Sequence, residues 1–301
     1  MTAATHGSVS FVLIGDLMID IAAVTNEPIN YASDTPARIS IQPGGGAATT
    51  AAWLAHLGED VHLIGALGDD FLARMFREAL TAQGVHLHAA EIAGASTGTC
   101  IVLVDATGER TMLPDPGANL AIEVAQLTDS LFTSGAHLHL SGYTLLNPTT
   151  RGVGQAALAR ARARQLTSSL DLASAAPIAV NRDPIWAALD EVDVLLANRD
   201  EAAALTGLAD TDAALAALTQ AVDTVVIKCG PGGAVAAQGH LRCAVPALPA
   251  KVIDTTGAGD AFAAGFLAGW CAGRELPEAV AAGVQEATRT LSRVGGGPMA
   301  P

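Results

Sequence analysis

Lysine is almost missing from this chain: Lys228 and Lys251 are the only two among 301 residues. Basic side chains number 16 against 30 acidic ones, for a net charge of −14. That balance excludes the broad basic face that nucleic acid or an anionic membrane rewards, so neither is expected as a partner. Any other fixed cation beside a bound anion has to be an arginine. Aromatic residues are only 4% of the sequence while half of it is hydrophobic, so the core must be assembled from Ala, Val, Leu and Ile. The four cysteines, Cys100, Cys229, Cys243 and Cys271, include no Cys-x-x-Cys pair, which points to reduced thiols rather than zinc or disulfides. No Lys or Arg precedes Arg38, so the start does not read as a secretory signal. The longest uncharged apolar run, Ala261–Gly273, is too short to span a bilayer. A cytoplasmic, soluble protein is the expectation. Absent too are the Gly-x-x-x-x-Gly-Lys-Ser/Thr string of P-loop enzymes and the protein-kinase motif set.

What is present is concentrated in Asp254-Thr-Thr-Gly-Ala-Gly-Asp260, followed by the small apolar run Ala261–Trp270. A glycine-rich turn opening into a helix exposes unpaired N–H groups at the positive end of the helix dipole, which suits an anion and phosphate above all. The N–H groups of Gly257, Ala258 and Gly259 would form the anion hole. Asp260, on the first turn, is placed to take a proton from a hydroxyl that attacks the phosphoryl group. A lone Gly-x-Gly would read as a tight turn and a cap. The full string, with Phe262 and Gly265 behind it, carries more than that.

Val9–Gly15 is a continuous apolar run ending in glycine, as in a buried parallel strand. Similar runs recur at Val61–Ala66, His137–Leu140, Ser168–Leu172, Val192–Ala197 and Thr224–Lys228. Helical spacing separates them at Ala47–Leu57, Phe71–Gln83, Pro148–Gln165, Arg199–Leu205 and Asp212–Ala221. The alternation predicts a mainly parallel sheet with helices on both faces. Two regions break it. Residues 19–42 lack a helical stripe, and residues 98–113 read as a hairpin around Asp105-Ala-Thr-Gly108. Nothing marks a second independent domain, so residues 1–301 are expected to form one.

Ligands of open α/β sheets bind at the carboxyl ends of the strands, which gathers five segments on one rim. Asp16 and Asp20 lie just past the first strand, where carboxylates can accept hydrogen bonds from sugar hydroxyls or simply cap the loop. Pro43-Gly-Gly-Gly-Ala-Ala-Thr49 opens a helix, and Gly44 and Gly45 let the backbone approach a ligand closely. Asn198-Arg-Asp-Glu201 fits a helix cap followed by surface acids. Lys228-Cys-Gly-Pro-Gly-Gly-Ala234 ends a strand, and its ammonium could meet a phosphate or turn to solvent. The pairs His86/His88 and His137/His139 have strand spacing for a metal but lack a third ligand, so packing or exposure is the expectation.

The strings Pro43–Gly58 and Asp254–Asp260, in that order, resemble the two signatures of the ribokinase-like (PfkB) family of carbohydrate kinases. The likeness covers nearly the whole chain. It implies a three-layer α/β/α sandwich with a small β-lid over the sugar, built from segments at about 19–42 and 98–113. It implies a kinase that uses ATP and Mg²⁺ to phosphorylate a hydroxymethyl group on a small sugar or nucleoside. A ribose-like sugar or pseudouridine is the favoured acceptor. A 2-keto-3-deoxygluconate-type acidic sugar, read by Arg38 or Arg110, is the enzymatic rival, and a non-catalytic sugar-binding regulator is the other alternative. By the same likeness Asp16, Asp20, Gly44, Gly45 and Thr49 meet the acceptor, with Asp20 the first choice. Asn198, Lys228, Gly230, Gly233 and Thr255 meet the nucleotide, and Glu201 orders Mg²⁺ through water. Asp254 and Thr256, with Gly295 in a C-terminal loop, would hold K⁺. Many relatives have asparagine where this chain has Met18 and Thr49, so two polar contacts with the acceptor are changed. A homodimer through the lid is expected, because an apolar sheet edge invites pairing.

Overall fold

The computed structural model describes residues 9–106, 109–292 and 295–298. In chain order the strands and helices open with β1 (Ser10–Ile14), β2 (Met18–Thr25), β3 (Ala37–Gly44), α1 (Gly46–His56), β4 (Asp60–Gly68) and α2 (Phe71–Ala82). Next come β5 (His86–Ile92), β6 (Gly98–Val104), β7 (Arg110–Asp115), β8 (His137–Ser141), α3 (Gly142–Leu146), α4 (Arg151–Ala163) and β9 (Thr167–Asp171). The remainder is α5 (Ala175–Val180), α6 (Asp183–Trp186), β10 (Val194–Asn198), α7 (Arg199–Thr206), α8 (Thr211–Leu218), β11 (Thr224–Lys228), β12 (Ala234–Gln238), β13 (Leu241–Val245), α9 (Ala258–Cys271) and α10 (Leu276–Thr290).

The main sheet runs β13-β12-β11-β10-β9-β8-β1-β4-β5 and is parallel except for β12 and β13. In β1, Phe11 and Leu13 face one hydrophobic core while Val12 and Ile14 face another, and all four are fully buried. That two-sided burial is why the strand is apolar throughout rather than alternating. Helices α1, α2, α9 and α10 supply the core on the Phe11 side, and α4, α7 and α8 the core on the Val12 side. The result is the expected three-layer α/β/α sandwich.

A second sheet, β3-β2-β6-β7, stands apart as the expected lid. Its pairing of β2 with β6 is parallel, so the two predicted lid segments meet through Met18↔Gly98 to Val24↔Val104. Met18, Ala22, Cys100, Val102 and Val104 form a small core on one lid face. Ile39, Ile41, Ile101 and Leu113 are exposed. Part of the predicted Asp105–Gly108 turn lies outside the described residues.

Some elements differ from the sequence reading. Helix α4 starts at Arg151 rather than Pro148, because Asn147 before the proline is held extended (ψ 124°). Strands β12 and β13 have no counterpart among the apolar runs, and β5 shows only in the His86/His88 spacing. They lie at or next to the sheet's two edges, where one-sided exposure dilutes the apolar signal.

Candidate active site

The chain leaves β1 for the lid and for β4 on one side, then returns to β8 on the other, so β1 sits at a switch of winding direction. Such a switch opens a crevice at the carboxyl ends of the strands. The residues that follow those ends are Asp16 after β1, Asp171 ending β9, Asn198 ending β10 and Lys228 ending β11. Two helix starts, those of α1 and α9, complete the rim.

Gly257 is the N-cap of α9 with φ 71°, a left-handed conformation. A Cβ there would strike the backbone of Gly296 in the C-terminal loop. The glycine is therefore required by its own geometry and by that loop, and not only by the approach of a ligand. The N–H of Ala258 bonds Thr255 O at 3.3 Å and closes the turn. Among the described residues Gly257 and Gly259 N–H make no such bond. Thr255 itself is exposed on the rim.

Asp260 lies on the first turn of α9 and faces the first turn of α1: a Cβ built at Gly46 would come within 3.4 Å of its Oδ1. Thr50 Oγ1 reaches Asp260 O at 3.5 Å and ties the two helices together. The carboxyl opens to the crevice on one side yet is otherwise surrounded by protein. Burial, then the Asp171, Asp20 and Glu201 charges, push it up to about 7 against the opposing pull of Lys228. A carboxyl titrating there is matched to general-base work near neutral pH.

Lys228 does not turn its ammonium to solvent. Its Nζ donates to Asp171 Oδ2 at 2.7 Å, with both side chains largely buried. Burial would lower the ammonium's pKa, but Asp171, Glu201 and Asp260 outweigh it and hold it above its usual range. The same ammonium lies 3.5 Å from where a Cβ on Gly259 would be, so it flanks the anion-hole backbone. Asp171 was missed from sequence. Its signal was available: it is the acidic end of the strand predicted at Ser168–Leu172.

Asn198 caps α7, accepting from Glu201 N at 2.9 Å, while Glu201 Oε2 accepts from Asn198 N at 2.7 Å. Asn198 Nδ2 also donates to Glu201 Oε1 at 2.7 Å. The cap reading is correct, and the cap fixes Glu201 within the same charged cluster. Burial pushes Glu201 up, opposed by Lys228. Three carboxylates, Asp171, Glu201 and Asp260, thus share one ammonium, and the surplus negative charge suits a divalent cation. Among the described residues no three such groups converge closely enough to grip a metal directly. A hydrated Mg²⁺, which keeps much of its water, fits that donor set. Gly230 and Gly233 bracket the turn after β11. Gly233 (φ 86°) packs under Val245 O, which gives it a structural duty, while Gly230 faces open space.

On the acceptor side, Gly45 (φ 92°) caps α1, and a Cβ there would strike Asp16 O. The Asp20 carboxylate lies directly against the Gly44 Cα. Burial pushes Asp16 and Asp20 each up to about 6, and neither carboxylate accepts a hydrogen bond from a described residue. Asn119, not singled out in sequence, bonds Leu17 N and O (2.8 and 2.9 Å) and fixes the Asp16–Asp20 segment. Thr49 is buried, with its methyl toward Gly296, and it lines a cavity of about 250 Å³ with Gln42, Gln83 and Pro298. Its side chain therefore supports the C-terminal loop.

Asp254 Oδ1 accepts from Thr256 N (2.8 Å) and Thr256 Oγ1 (2.7 Å), and Oδ2 accepts from Gly295 N (2.9 Å). The two halves expected for a cation site are adjacent. Burial alone would raise Asp254, but these bonds and the Arg110 charge hold it below its usual range. Of the histidines, His137 and His139 are buried and bonded to Ser169 (2.8 Å each), and burial depresses them to about 3 and 4. His62 of β4 joins His88 of the edge strand β5 at 2.9 Å, but no metal-holding group forms among the described residues.

With the Asp260 carboxylate held on the glycine-bent start of α9 and Lys228 on the same rim, the crevice suits phosphoryl transfer to an alcohol, the chemistry of a sugar or nucleoside kinase. The family model described as pfkB family carbohydrate kinase matches residues 9–301, and the chain belongs to that family. A fructokinase from Klebsiella pneumoniae is 30% identical over 280 residues, covering 90% of this chain and 87% of that protein. An ATP-dependent ribose-1-phosphate kinase from Halopiger xanaduensis is 33% identical over 253 residues, covering 79% and 76% respectively. The crystal structure of adenosine kinase from Sinorhizobium meliloti superposes with a TM-score of 0.89 at 28% identity, over 97% of each chain. No helix among the described residues is long and apolar enough to cross a membrane.

Proposed function

We propose that this kinase transfers the γ-phosphoryl group of ATP to a hydroxymethyl group of a ribose-like sugar or a nucleoside such as pseudouridine. The observation that carries this reading is Asp260, its carboxyl raised to about 7 between two helix starts. Asp260 takes the proton of the attacking hydroxyl. Gly257 and Gly259 N–H, with the ammonium of Lys228, bind the phosphoryl oxygens. Asp171 orients that ammonium, and Glu201, held by Asn198, would order a hydrated Mg²⁺, whose charge would help to neutralise the phosphates. Asp16 and Asp20, with no hydrogen-bond donor from the described residues, accept from sugar hydroxyls, and the lid excludes water over them.

An uncharged acceptor is favoured over an anionic one. Arg110 is engaged with Thr256 (3.2 Å), and Arg38 sits at the far end of β3 from Asp20. The acidic-sugar reading rests on those two arginines. The regulator reading requires no base and leaves Asp260 without a purpose. We also propose K⁺ at Asp254, Thr256 and Gly295, to be tested by activation with KCl against choline chloride. A homodimer through the exposed Ile39, Ile41, Ile101 and Leu113 face and a cytoplasmic location complete the reading; sedimentation equilibrium tests the dimer. The main test is ADP release and product mass over uncharged sugars, nucleosides and sugar acids with ATP and Mg²⁺. A pentose or nucleoside should lead, whereas turnover confined to sugar acids, or absent throughout, contradicts the proposal.

A further inference from the structure

Arg110 opens β7 in the lid and is exposed, yet its Nη1 donates to Thr256 Oγ1 at 3.2 Å across 146 residues of sequence. Thr256 Oγ1 spends its only proton on Asp254 Oδ1 at 2.7 Å, so the hydroxyl accepts from the lid and donates to the carboxylate. Donor and acceptor roles of that kind reinforce each other along a chain. Asp254 then holds Gly295 N at 2.9 Å, and Gly296 beside it packs directly under Gly257. The other lid hairpin reaches the same loop, since the Gln42 side chain of β3 lies against the Cα of Gly295. Two lid strands therefore meet the two segments that shape the anion hole.

We propose that Arg110 is a positioning residue that latches the lid to the Asp254–Thr256 turn, so that lid closure sets the backbone at Gly257. This rests on the kinase reading above for its purpose, but the latch itself is a property of the fold. A single hydrogen bond from an exposed arginine suits the task. It shifts the closed-to-open ratio by about tenfold at most, enough to favour closure and weak enough to break at every turnover.

Trp53 provides a local readout, because its Nε1 donates to Gly296 O at 2.8 Å. In a Trp186→Phe, Trp270→Phe background, the emission and acrylamide quenching of Trp53 are compared in Arg110→Ala, Arg110→Lys, Thr256→Val and Arg110→Ala/Thr256→Val, with K⁺ fixed. Arg110→Ala should increase quenching without any ligand and lower kcat by up to about tenfold with the ATP KM little changed. It should also raise ATP hydrolysis in the absence of acceptor. Arg110→Lys should fall between Arg110→Ala and wild type. The double variant should be no worse than the worse single one, as expected for one shared interaction. Additive effects, or unchanged Trp53 quenching in Arg110→Ala, would overturn the latch. So would a raised ATP KM with Trp53 unaltered, which would place the guanidinium on the phosphates instead. If the parent transfers no phosphate to any acceptor, the kinase reading fails, and the ligand-free Trp53 comparison still decides the latch.

Discussion

At the scale of single residues, the site is governed by how few positive charges it contains. Lys228 is the cation that acts on both Glu201 and Asp260, and it lowers the pKa of each against burial and neighbouring acids. Replacing it with methionine removes that opposition, so the Asp260 pKa should rise. The base works when deprotonated, which means that the acid limb of the kcat/KM profile should move to higher pH, by about one unit or more. A limb that stays in place would show that Lys228 does not act on Asp260. Lys228 was legible as a strand-end cation, with phosphate and solvent both open to it, but its pairing with Asp171 was not. Strand-end position was visible; which of several strand-end acids would meet the ammonium depends on register between β9, β10 and β11.

At the scale of elements, the catalytic geometry comes from two helices that start at the same place. Helices α1 and α9 both open on a glycine with positive φ, Gly45 and Gly257, and each is pressed against another backbone. Gly257→Ala must adopt a left-handed conformation and displace Gly296. The strain alone is about 1–2 kcal/mol. We expect a lower urea midpoint together with a fall in kcat; a variant with wild-type midpoint and rate would show that the turn is not constrained as described. Both glycine strings were legible in the sequence because a turn into a helix is a local event. The central strands were legible for a similar reason, since burial on both faces leaves a continuous apolar run. What could not be read was longer in range: Thr49 turned toward the C-terminal loop, Gly257 held by Gly296, and edge strands such as β13, whose exposure pattern is mixed.

At the scale of the whole molecule, stability and activity pull in opposite directions. Asp16, Asp20 and Asp260 have folded-state pKa values raised to about 6, 6 and 7. The fold binds their protons better than the unfolded chain does, so their contribution to stability is present at low pH and lost as pH rises through 6–7. His137 and His139, depressed to about 3 and 4, act with the opposite sign, and their contribution is lost as pH falls below the unfolded value of 6.5. The overall pH profile therefore mixes the two, whereas a difference between variants isolates one. Asp260→Asn should be more stable than wild type at pH 8, by roughly 1–3 kcal/mol in urea unfolding, with the gap closing as pH falls toward 4. A gap of the opposite sign at pH 8 would mean that the carboxylate is stabilised in the fold. The same variant provides the most direct test of the central claim. With ATP, Mg²⁺ and the best acceptor, kcat for Asp260→Asn should fall about 10²–10⁴-fold while ATP still binds; turnover at the wild-type rate would contradict the assignment of Asp260 as the base.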